Sequence, residues 1–131
     1  MMNFTIDEII EEHKKVKSGA DFPSYIKAIK DKGVSHYITY VKCGDTQYFD
    51  DENLSVSTGP KYNDLIISEE LNLEQFKIRL KLHQQGGTDY PTFCNDCAEN
   101  GVEGWKIDLK EMTCTYFDKT KNNVLIEQIP G

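Results

Sequence analysis

At 131 residues the chain is long enough for one domain with its own core, which needs neither a metal nor disulfides to hold together. Its 15 Lys and Arg against 22 Asp and Glu leave a formal charge of −7, which repels a phosphate backbone, and no basic stripe interleaved with aromatics offsets it. No apolar run approaches the roughly 18 residues of a membrane span, and the opening MMNFTIDEII lacks the basic start and apolar stretch of a signal peptide; neither nucleic acid nor membrane is expected as a partner, and the cytosol is the expected compartment.

The first element read along the chain is a helix. Thr5 can cap it with Glu8 reaching back, Phe4 and Ile9 hold the staple positions, and Ile6, Ile9, Ile10, His13 and Val16 recur at helical spacing. Lys14, Lys15 and Lys17 follow Glu11 and Glu12 and read as its solvated face. A second, shorter helix starts at Asp21, a suitable cap, with Pro23 in the first turn, and ends at Gly33, with Val34 as the apolar contact past the end. Three strands are expected next, over Ser35 to Val41, Gln47 to Phe49 and Leu54 to Thr58, with CGD turning the first hairpin. The link TGPKYND leads out, and Leu65 to Ile67 is a candidate extra strand.

The second half repeats the plan. Asn72 caps a third helix with Gln75, Leu71 and Phe76 take the staple positions, and Leu73, Phe76, Leu80 and His83 form its stripe. Asp89, Pro91, Gly101 and Val102 stand where Asp21, Pro23, Gly33 and Val34 stood. Trp105, Ile107 and Leu109 alternate with Lys106, Asp108 and Lys110 in a half-buried strand. Thr113 to Phe117 and Val124 to Ile129 complete the set, with DKTKNN as the turn between them.

A shift of 68 positions superposes DFPSYIKAIKDKGV on DYPTFCNDCAENGV and Tyr48, Phe49 and Asp50 on Tyr116, Phe117 and Asp118. From Asp21 to Asp50, eight of thirty positions are identical at that shift. The expected fold is therefore a two-layer α+β domain with an antiparallel sheet, built from two tandem ααβββ repeats related by internal duplication. The repeats run over about 3–58 and 71–129, with 59–70 as the link, inside a single domain 1–131. Periodicity leaves open whether the sheet is continuous across the two.

Cys94 and Cys97 form a C-x₂-C pair, a spacing that suits zinc or a redox dithiol. A structural zinc site needs four ligands, and Cys43, Cys114, His13, His36 and His83 supply no second close pair. A thioredoxin-type thiol needs the helix N-terminus, whereas Asp89 as cap puts Cys94 more than one turn inside. The shift also places Cys94 on Ile26 and Cys97 on Ile29, both core positions of the first copy. These cysteines read as buried hydrophobes; no cofactor is expected, and metal or thiol chemistry at Cys94 and Cys97 is the alternative. Cys43, at a turn, is the one expected to be most exposed.

His13 and His83 share their stripes with apolar residues and read as packed rings. The acidic pairs Glu11–Glu12 and Glu69–Glu70 diverge by about 100° on a helix and cannot converge on one bond. Asp50 and Asp118 read as turn formers. No phosphate loop, nucleophile elbow or metalloprotease motif occurs, and QQGGTDY, like SGADF, reads as a connection between helices.

The copies differ most on the outward side of their first strands. Copy two has Gly104, Lys106 and Asp108 there, a hydrated set, and copy one has His36, Ile38 and Tyr40. Those three are the candidate ligand or partner face, unless the link covers them. Ile78 and Leu82 project from the third helix away from its main stripe, so either the core wraps around that helix or another chain packs there, a symmetric homodimer being the simplest such arrangement.

The strings HKKVKSGADFPSYIKAIKDKGVSHYITYV and LHQQGGTDYPTFCNDCAENGVEGWKIDLKEMTCTYFD, with the closing VLIEQIP, resemble the YbcV-like family of small bacterial proteins of unknown function, whose members are sometimes labelled phage envelope proteins. The resemblance implies a small stand-alone protein of bacterial or prophage origin and carries no catalytic residue. The reading that results is a non-enzymatic binding or protein-interaction module. Its partner is another copy of the chain, a small molecule or a protein, and a structural role in a phage particle is a further alternative.

Overall fold

A computed structural model describes residues 4–16 and 21–129. Helix α1 (Ile6–His13) opens with the expected reciprocal cap: the Glu8 amide donates to Thr5 Oγ1 at 3.3 Å, and the Thr5 amide donates to Glu8 Oε1 at 3.1 Å. Phe4 and Ile9 are both buried, as a staple requires. Helix α2 (Phe22–Asp31) carries Pro at its start, but Asp21 does not cap it in the expected way. Its backbone is already helical at φ −86° and ψ −11° rather than extended as a capping residue's usually is, and no side-chain cap hydrogen bond forms. The connection read from SGADF begins among residues 17–20, outside the described residues.

The end of α2 is a Schellman turn. Val34 N–H donates to the Ile29 carbonyl at 3.1 Å and Gly33 N–H to the Lys30 carbonyl at 3.0 Å, with Gly33 at φ 109°. Strands β1 (His36–Tyr40), β2 (Thr46–Phe49) and β3 (Ser55–Ser57) follow. Leu65–Ile67 forms no strand; the segment is held by single bonds, Leu65 N–H to the Lys42 carbonyl and Ser68 N–H to that of Ala98, and Ile67 goes into the core. Copy two supplies α3 (Leu73–Gln84), α4 (Tyr90–Glu99), β4 (Val102–Asp108), β5 (Thr113–Asp118) and β6 (Asn123–Gln128). Here both caps form: Asn72 Oδ1 accepts from Gln75 N–H and Asp89 Oδ1 from Thr92 N–H. No described helix is long and apolar enough to cross a membrane.

The six strands make one antiparallel sheet in the order β3-β2-β1-β4-β5-β6. The two repeats therefore join edge to edge through β1 and β4, and the register of that seam is informative. Ile38 faces Lys106, the residue 68 positions on, and the pairs on either side follow in mirror order, with His36 on Asp108 and Tyr40 on Gly104. A residue can face its own repeat mate only if a two-fold axis passes through that pair. The backbone repeats as well: Gly33 and Gly101, Gly44 and Met112, Asn53 and Lys121 are three pairs of positive-φ residues at the same shift. The turn carboxylates match too, Asp50 Oδ1 accepting from the amides of Glu52 and Leu54, and Asp118 Oδ1 from those of Thr120 and Asn122.

The helices lie on one face of the sheet. Tyr37, Thr39, Val41, Ile107 and Leu109 point into that face, where they meet Ile9, Ile26, Ile29, Phe76 and Cys97, all essentially without exposure. Trp105 sits among Tyr90, Phe93 and Tyr116. Arg79 on α3 reaches across to the buried Asp96 of α4 at 2.9 Å, a link within the helix layer.

Candidate functional site

Strand alternation sends His36, Ile38 and Tyr40 to the face that carries no helix, and all three are half-buried there. Two of them share a concavity of about 350 Å³. Ile38 and Tyr40 line it from β1, Lys106 from β4, and Thr115 and Phe117 from β5. Lys121, in the turn after β5, and Asn123, at the start of β6, close its far side. No lining residue comes from the link, which crosses the β1–β2 turn instead: Lys61 N–H donates to the Cys43 carbonyl, and the Tyr62 hydroxyl to that of Val41.

His36 shares this face but lies outside the groove. Its ring stacks on Phe49 at 4.4 Å, and Ser35 Oγ lies 2.8 Å from its Nδ1. Burial, then the charge of Lys106, lowers its pKa against the opposing charge of Asp108, which favours the neutral imidazole. At the equivalent point of copy two stands Gly104. A side chain there would begin 2.8 Å from Phe117 Cζ and would strike the Thr39 carbonyl oxygen. The missing Cβ is what lets Phe117 lie over the strand and meet Tyr40 edge-on, at 6.3 Å and 71°.

Lys121 Nζ is 5.7 Å from the Tyr40 ring centre and 5.2 Å from that of Phe117, within cation–π range of both, and it also pairs with Glu103. Its backbone has φ 69°, a conformation that a lysine adopts reluctantly and that its repeat mate Asn53, at φ 63°, adopts easily. A second concavity of about 400 Å³ shares Tyr40 and is lined also by Lys42, Cys43, Asp45, Ile67 and Glu103.

The cysteines go where the repeat places them. Cys94, Cys97 and Cys114 are buried, and Cys43 is the least buried of the four; all are free thiols. Desolvation raises the pKa of each buried thiol, that of Cys114 to about 12, which leaves them protonated and unreactive at neutral pH. Cys97 does replace hydrocarbon. Cys94 is buried as well, and there the Tyr62 and Tyr90 hydroxyls and the charge of Lys61 oppose the effect of desolvation on its thiol, while burial lowers the pKa of Lys61 itself. Lys61 and Tyr62 belong to the link, which has no repeat mate, so the alignment of copies held no sign of them. His83 stacks on Phe93 at 4.3 Å with Nδ1 beside Thr88 Oγ1, and His13 sets its ring edge-on to Tyr25. Among the described residues, no three His, Cys, Asp or Glu side chains are grouped so as to hold a metal ion.

Phe117, Lys121, Thr115 and Asn123 are the groove residues that strand pattern alone did not single out. The family described as "Protein of unknown function (DUF1398)" matches residues 11–128. No curated protein matches the sequence.

Proposed function

Starting from the premise that the chain belongs to the DUF1398 family, whose description assigns no activity, we propose that it is a non-enzymatic binding module in the cytosol. Both repeats belong to one domain on this reading, and the ligand or partner is received on the open sheet face, in the groove around Ile38 and Tyr40. One observation carries this. The face without helices presents Ile38, Tyr40 and Phe117 around a concavity, where an uncovered sheet face would ordinarily carry a hydrated set. The four free thiols favour a reducing compartment.

The test is Tyr40→Ser in the full chain, with aromatic fragments titrated by amide NMR. Fragments that shift the amides of Ile38, Tyr40 and Phe117 should lose affinity in the variant, while the urea midpoint changes by less than about 1 kcal/mol equivalent, as for an exposed-face substitution. Unchanged fragment binding together with a large stability loss would make Tyr40 a packing residue and end the proposal. A second reading, self-association, is favoured by Ile78, which is 62% exposed on α3. Light scattering on the parent and on Ile78→Lys separates it: a dimer that dissociates in the variant supports it, and a monomer in both removes it.

A further inference from the structure

Internal duplication gives the groove its own control. The two-fold axis through Ile38 and Lys106 exchanges those two residues and sends Tyr40 to Asp108, Phe117 to Phe49 and Lys121 to Asn53. The same operation carries Gly104 onto His36. The mirror location on the open face therefore has a carboxylate where the groove has an aromatic ring, and a neutral amide where the groove has an ammonium. It is also filled by the His36–Phe49 stack. The two sites share one backbone plan and have diverged in opposite chemical directions.

The direction of that divergence is towards positive charge and flat apolar surface. In a chain with seven excess negative charges, the groove is lined by two lysines and no carboxylate. Lys106 is exposed and makes no ion pair among the described residues. Lys121 is shared with Glu103, which does not line the groove, and stands over both rings. It does so from a left-handed backbone, where Asn would be the easier residue.

Resting on the binding role argued above, we infer that the groove takes a small organic anion with a flat apolar body, in the class of an aromatic carboxylate. The body lies against Tyr40, Phe117 and Ile38, and the carboxylate meets Lys106 and competes with Glu103 for Lys121. A concavity of about 350 Å³ has the capacity for a ligand of that size. The charge reversal against the rest of the surface selects the anion over its neutral or cationic analogue.

The probes are 2-naphthoate and its neutral analogue 2-naphthamide, titrated into the labelled full chain by NMR. Naphthoate should shift the amides around Ile38, Lys106 and Phe117 and bind more tightly than naphthamide. The double variant Lys106→Gln, Lys121→Asn should weaken naphthoate about tenfold, the scale of a lost charged contact, and leave naphthamide within about twofold. Lys106→Gln alone, on an exposed side chain, carries the test if the double variant does not fold. Equal binding of both probes in the groove overturns the anion class while leaving the binding role intact. No naphthoate binding in the groove also overturns it. If neither probe reaches the groove and Tyr40→Ser alters no fragment's affinity, both conclusions fall.

Discussion

Cys114 sits on β5 facing the helices, 7% exposed, with Tyr116 and Glu127 as its polar neighbours. Burial is the largest influence on its thiol and the Glu127 charge adds to it, together outweighing the opposing influence of the Tyr116 hydroxyl and raising the pKa from about 9 to about 12. The folded state thus holds a proton that the unfolded chain releases. The stability involved is complete below the unfolded value near pH 9 and is lost as pH rises towards 12, at up to about 1.4 kcal/mol per pH unit for one group. Cys97, desolvated and facing the charges of Cys94 and Asp96, works in the same direction. Urea midpoints at pH 7.5, 9.5 and 10.5 should fall in the parent and fall less in Cys114→Val, which keeps the volume and removes the proton. Equal pH dependence in the two proteins would mean that this thiol ionises normally when folded. Thiol titration at pH 7.5 should find Cys43 first, since it alone of the four is not buried.

Helix endings show how much one backbone conformation depends on what surrounds it. Gly101 and Gly86 have nearly the same φ, 83° and 84°, so alanine meets the same left-handed strain at either, about 1 kcal/mol. Their surroundings differ. A Cβ on Gly101 would lie 2.6 Å from the Glu70 carbonyl oxygen and 2.9 Å from Leu71 Cα, both backbone atoms, whereas Gly86 faces nothing within 4 Å. Gly101→Ala should therefore cost about 2–4 kcal/mol by urea denaturation, the strain plus overpacking, and Gly86→Ala only about 1. Similar costs at both sites would show that the passage of the link over α4 is loose. Elements of this kind were open to reading from residue types, because caps, prolines and glycine endings act within one turn and the strands alternate by parity. Parity likewise put Ile38 and Tyr40 on the open face. Lys121 was hidden because lysine is not a residue expected at positive φ, and the influence of Lys61 and Tyr62 on the Cys94 thiol because the link lacks both periodicity and a repeat mate. Asp21 misled for the opposite reason: a good capping residue has a backbone that is already helical, so its type alone did not make a cap.

Edge-to-edge joining of the repeats determines what each half would do without the other. Strand β1 pairs with β2 on one side and β4 on the other, so residues 1–70 alone would leave a row of unpaired β1 amides and carbonyls. The seam register supplies a replacement partner. Because Ile38 faces its own repeat mate, two copies of the first repeat can pair β1 with β1 in the same geometry, Ile38 meeting Ile38 on the axis of an isologous dimer. The second repeat, paired in the same way, would set Lys106 against Lys106, and like charges directly opposite in an antiparallel pair are destabilising. Fragment 1–70 should thus be dimeric by light scattering with a strand signature in circular dichroism, and Ile38→Lys should abolish the dimer. Fragment 71–131 should be monomeric and poorly folded, and Lys106→Ile should give it the association that the first fragment has. A folded monomer from 1–70 would mean that β1 needs no partner at the seam. Reversed behaviour, with 71–131 dimeric and 1–70 not, would remove the two-fold axis as the organising element of the sheet.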